Sequence, residues 1–257
     1  MGARRKYVRW VATFASATLP IAAWSAYYNI RNDVCREGAR TAECGRFGAM
    51  ESLACDLGLP STLVLGSCRR AAGRYIFGFG VSKDFGRGLG LLRQGCIARF
   101  ADEGACVMAR SYYHDAFSQP HFVLMLSGPY QDATYQDWHR NLTGVRAEAQ
   151  RRCADGHLVV SLHPARRDLV AGLCDDLPAS QQAAEDAASN AALLKHACDA
   201  GRAGACLLQG TAVQLGIAGA RDESGATVLL RRACELGSDM GCEERNGTLH
   251  RLLEPAP

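Results

Sequence analysis

Apolar residues in this chain come in short bursts that recur, with polar turns between them. The run Leu193-Leu194-Lys195-His196-Ala197-Cys198-Asp199-Ala200-Gly201 returns 36 residues later as Leu229-Leu230-Arg231-Arg232-Ala233-Cys234-Glu235-Leu236-Gly237. A second cysteine follows each copy by eight residues, at Cys206 and Cys242. A period of about 30–40 residues with two helical stretches per unit is the sequence mark of a helical solenoid. The pattern therefore predicts an all-α fold of repeated helical hairpins.

The cysteine spacing sharpens that expectation. Two cysteines eight apart on one continuous helix would be separated by roughly 12 Å along its axis. A disulfide needs Cα atoms within about 7 Å. If Cys198 and Cys206 are bonded, the helix must end between them. Gly201 supplies the stop, where a left-handed C-terminal cap favours glycine. The chain then turns through Arg202-Ala203-Gly204 into a second helix, and the two cysteines face each other across the bend. Asp222 precedes Cys234 by twelve residues and Asp84 precedes Cys96 by twelve, so both read as N-caps of a unit's first helix. Gly78 to Asp84 is then a connector between hairpins. Tyr75 and Tyr113 each follow the second cysteine of their unit by seven residues, at one inward-looking position.

This constellation resembles the Sel-1-like repeat family, relatives of the tetratricopeptide repeats, and in particular its secreted, cysteine-rich bacterial branch. Tyr75, Gly78, Gly80, Val81, Asp84, Leu91, Leu92 and Cys96 carry the likeness in one unit. Leu229, Leu230, Ala233, Cys234, Gly237 and Cys242 carry it in the last. The likeness covers residues 42–115 and 188–250 and is poor over 116–180. There Cys153 keeps Gly156, but Glu148-Ala149 replaces the double leucine. Cys96 departs as well, with Arg99 in place of the glycine and ten residues to Cys106.

Connectivity is not deducible from sequence alone. Pairing each of the twelve cysteines with its neighbour gives Cys35–Cys44, Cys55–Cys68, Cys96–Cys106, Cys153–Cys174, Cys198–Cys206 and Cys234–Cys242. Each short closed loop would add about 2–3 kcal/mol in the chain-entropy model, less any strain. Such a clasp substitutes for the large core that a unit touching only its neighbours lacks.

Cysteine at this density implies an oxidising compartment, and the N-terminus agrees. Arg4, Arg5, Lys6 and Arg9 precede a charge-free stretch of 19 residues from Trp10 to Tyr28. It reads as a secretory signal with small residues around Ala23-Trp24-Ser25, or as an uncleaved anchor spanning residues 10–28. The organisation expected is a signal or anchor over 1–29, clasped repeats over 30–115, an irregular segment with a degenerate repeat over 116–187, and C-terminal repeats over 188–257. Setting the leader aside changes the charge from +3 to about −1. No basic stripe remains for nucleic acid, and the membrane would be met only through the leader.

Residues 116–150 break the rhythm. Pro120, Gly128 and Pro129 argue for a loop or short extended piece, and Asp175 to Asn190 reads as a second irregular stretch in which Pro178 and Ser180 start the next helix. Tyr130 and Trp138 make the first segment aromatic, and insertions in repeat arrays often fall on the binding face. They are the candidate partner-binding residues. The plainer reading is a decayed repeat whose aromatics fill a gap.

Ser-x-x-Lys, Gly-x-Ser-x-Gly, His-Glu-x-x-His and Cys-x-x-Cys are all absent. His114, His121, His139, His157 and His163 cluster in the middle, where solvent-facing or capping roles are favoured over metal binding. No cofactor is implied. What the resemblance implies is an exported scaffold that binds a protein or peptide. The rival expectation is β-lactam binding or weak hydrolysis, a label common in the cysteine-rich branch.

Overall fold

The computed structural model describes Cys35 and residues 42–57, 68–98, 102–127, 142–154 and 164–245. Among these residues every regular element is an α-helix: α1 (Ala42–Asp56), α2 (Cys68–Phe77), α3 (Phe85–Ile97), α4 (Glu103–Ser127), α5 (Leu142–Ala154), α6 (Pro164–Ser189), α7 (Ala191–Asp199), α8 (Ala203–Leu215), α9 (Glu223–Glu235) and α10 (Asp239–Arg245). Residues 1–29, Tyr130, Trp138, His139, His157 and His163 lie outside the described residues.

Local chemistry sets the helix ends. Asp84 caps α3 by accepting from the Arg87 backbone N–H at 2.9 Å, and Asp222 caps α9 by accepting from Gly225 at the same distance. At the other end of the hairpin helices, glycine takes the left-handed conformation: Gly201 has φ 81° and Gly237 has φ 93°. Around Gly201 the Arg202 N–H reaches back to the Ala197 carbonyl and the Gly201 N–H to Cys198, both at 3.0 Å. Ser238 and Gly237 repeat the pattern onto Ala233 and Cys234, each at 2.9 Å. These paired bonds satisfy carbonyls that a helix end would otherwise orphan.

Six disulfides close the hairpins, joining Cys35–Cys44, Cys55–Cys68, Cys96–Cys106, Cys153–Cys174, Cys198–Cys206 and Cys234–Cys242. The hairpins α1/α2, α3/α4, α7/α8 and α9/α10 each pack on the next. Glycines govern these contacts. A Cβ at Gly95 would lie 2.5 Å from the Cys68 Cβ, and one at Gly204 would overlap the Cys96 carbonyl and sit 2.6 Å from its sulfur. Backbone therefore rests directly on the preceding clasp. The second of these contacts joins α3 to α8, so the row of hairpins resumes without a gap after the long intervening segment.

That segment departs from expectation in two places. Residues 116–127 are the second half of α4, with no loop or extended piece, and Pro120 lies inside the helix. Proline lacks the N–H that would bond to the Ala116 carbonyl. Arg146 of α5 fills the vacancy, donating from Nη2 at 3.0 Å and Nε at 3.3 Å to that oxygen. Burial of Phe117, Val123 and Leu124 adds the apolar contribution. Likewise Asp175–Asn190 is not irregular: α6 runs through Pro178, and the break falls at Asn190. The boundary expected at residue 115/116 thus falls in mid-helix.

One apolar core runs through the stacked hairpins and includes Leu92, Tyr113, Ala183, Leu194, Leu208 and Leu230. A separate small cluster of Val123, Leu124, Ala149 and Leu177 holds α5 against α4 and the first half of α6. Helix α5 is therefore carried as a side lobe on the row of hairpins.

Candidate interaction surface and the seam beneath it

The first helices of three hairpins (α3, α7 and α9) share one register. Asp84, Asp186 and Asp222 each lie twelve residues before Cys96, Cys198 and Cys234, and each unit then has a double leucine and a cation: Arg93, Lys195 and Arg231. The second leucine of each pair is buried, as Leu92, Leu194 and Leu230. The position two residues before that leucine points the opposite way on a helix. It is occupied by Gly90, Ala192 and Val228, and Val228 is 61% exposed. Leu193, the first leucine of its pair, is 44% exposed, whereas its counterpart Leu91 is buried at 4%.

The register also passes through the seam where α6 meets α3 and α4. In the two regular units the register aspartate caps a helix. At Asp186 the helix arrives already formed, so no cap is needed, and the carboxylate does something else. It accepts from Arg93 Nε at 3.2 and 3.3 Å, from the Tyr113 hydroxyl at 3.1 Å and from Asn190 Nδ2 at 3.1 Å. One carboxylate thus joins α3, α4 and the α6/α7 break. Burial, followed by the Asp186 charge, raises the Tyr113 phenol well above its ordinary value, so it donates as a neutral hydroxyl. This residue carries a sequence signal, its twelve-residue step to Cys198, which the sequence reading passed over.

A second buried ion pair lies between α1 and α2. Arg74 Nε donates to Glu51 at 2.5 Å, with both side chains almost wholly buried. Burial pushes the Glu51 carboxyl up, against the Arg74 hydrogen bond and charge that pull it down. Tyr75 receives the Arg87 guanidinium over its ring face at 5.0 Å. His114 and His121 lie on α4, His121 buried at 4% exposure and His114 partly buried. Burial lowers each imidazole to about 4, with Arg110 adding to the effect on His114. His121 Nδ1–H donates to the Phe117 carbonyl at 2.6 Å.

Among the described residues no three His, Cys, Asp or Glu side chains are grouped to hold a metal ion. No described helix is long and apolar enough to cross a membrane. The six cystines, with no free cysteine among the described residues, belong to an oxidising environment. What the exposed surface offers is contact: Leu193 and Val228 stand out to solvent, as do the cations Lys195 and Arg231, on a sulfur-clasped frame. No protein-family model matches the chain, and no curated protein is significantly similar to it.

Proposed function

We propose that the chain is an exported, disulfide-clasped helical solenoid of the Sel-1-like kind that binds a protein or peptide along the face of α3, α7 and α9. The observation that carries this reading is the exposure of Leu193 at 44% and Val228 at 61% on helices whose other large apolar side chains are packed. Solenoid scaffolds use such extended faces for binding. The compartment follows from the cystines: export to a periplasmic or extracellular space, with residues 1–29 as the leader. Sequencing the mature N-terminus checks that step, because cleavage leaves a start near Ala26 and an anchor retains Met1.

The binding reading is tested by crosslinking and pull-down from the native compartment, with wild type compared to Leu193→Asp/Val228→Asp. Circular dichroism controls for folding. Recovery of a specific partner should fall at least tenfold in the variant. Undiminished recovery would remove this face from the interaction. Tyr130→Ala/Trp138→Ala, measured in parallel, asks whether the side lobe adds to the same surface.

A further inference from the structure

Six cystines clasp this chain, and their surroundings differ. Cys35, Cys44, Cys55, Cys68, Cys96, Cys106, Cys198 and Cys206 are all at most 5% exposed. Cys153, Cys174, Cys234 and Cys242 are only half-buried. A dithiol can reach a disulfide only where a sulfur is accessible, so two bonds are candidates for exchange.

The two differ in what else holds their helices. Around Cys234–Cys242 the hairpin α9/α10 is close-packed, and a Cβ at Gly241 would lie 2.8 Å from that of Ala233. Ser238–Ala233 and Gly237–Cys234 backbone bonds shape its turn. Helix α9 also buries Ala226, Leu230 and Ala233, whereas α5 buries Ala149 alone among its described side chains. Ala149 is the one α5 residue in the side lobe's buried cluster, with Val145 and Cys153 partly buried beside it. The polar attachments of α5 include the Arg146 pair of bonds to the Ala116 carbonyl of α4 and the Gln150 amide donating to Gln181 of α6. The bond to Cys174 closes 21 residues, the longest loop of the six. Few buried apolar contacts mark a unit that opens locally at low cost.

We infer that Cys153–Cys174 is a redox latch on the side lobe. A dithiol reductant attacks one sulfur through a mixed disulfide, and its second thiol resolves that intermediate. The products are two protein thiols and the reductant's own disulfide, a transfer of two electrons and two protons. With the latch open, α5 leaves α4 and α6. Val123, Leu124 and Leu177 then face solvent, and the Ala116 carbonyl loses its donor. The row of stacked hairpins keeps its core, which does not include α5.

The test uses the full oxidised protein titrated with dithiothreitol, alkylated, and mapped by mass spectrometry alongside hydrogen exchange. At the lowest effective dose Cys153 and Cys174 should be labelled, with labelling of the four buried cystines at least tenfold lower. Exchange across 142–154 and 120–127 should rise at least tenfold, with 203–215 unchanged. Cys153→Ser/Cys174→Ser should show the same exchange without reductant, while Cys234→Ser/Cys242→Ser should leave 223–235 within threefold of wild type. First reduction of a buried cystine would overturn the latch, as would full protection of α5 once Cys153–Cys174 is open.

Discussion

Two regions of this molecule join a pair of helices with sulfur and obtain different things from it. In α7/α8 the cystine spans eight residues, is fully buried, and lies in a hairpin already shaped by a glycine cap and a continuous core. In the side lobe the cystine spans 21 residues, is half-exposed, and holds a helix with one fully buried alanine. The first bond reinforces a structure that packing already specifies. The second supplies much of the attachment itself. A disulfide's role is thus read from the apolar burial around it, not from its presence.

The largest expected effect falls on the row. Gly204→Val places a side chain against the Cys96 carbonyl, where backbone cannot yield. Overpacking of this kind should cost about 3 kcal/mol, visible as a lower midpoint in denaturant melts, while exchange in α5 stays unchanged.

Acid should strike both regions, because each half of α4 carries one histidine withdrawn from solvent, His114 partly and His121 wholly. The folded values of His114 and His121 are about 4, below the ordinary 6.5. The unfolded chain therefore binds more protons between those limits, and stability falls as pH drops from 6.5 to 4. Melts at pH 7 and pH 4 should register this loss beyond the general acid effect. His121→Phe should remove the part read out in 117–127.

Arg146→Met keeps the aliphatic stem and deletes both donors to the Ala116 carbonyl. An orphaned acceptor here should cost about 1–2 kcal/mol, confined to α5 and the second half of α4 in hydrogen exchange. Equal loss across α7–α10 would show the two regions to be one cooperative unit. The smallest effect expected is that of Asp222→Ala, which removes a single N-cap and should cost about 1 kcal/mol at α9.

The parts of the fold legible in sequence are those decided within about ten residues. Cys198, Gly201 and Cys206 contain their own turn, and Asp222 with Gly225 contains its own cap. The helix through Pro120 was hidden because its compensation comes from Arg146, thirty positions away. Asp186 was hidden for another reason. Its register is plain, but its role depends on α6 arriving as an unbroken helix, which makes a cap superfluous. The surface residues Leu193 and Val228 gave no local signal either, since their exposure depends on how successive hairpins meet.

The seating of Gly204 on Cys96 also bears on how this chain tolerates change. That junction is anchored by atoms on either side of the side lobe and by none within it. Helix α5 adds nothing to that junction or to the core of the row, so change confined to it leaves the spacing of the stack in place.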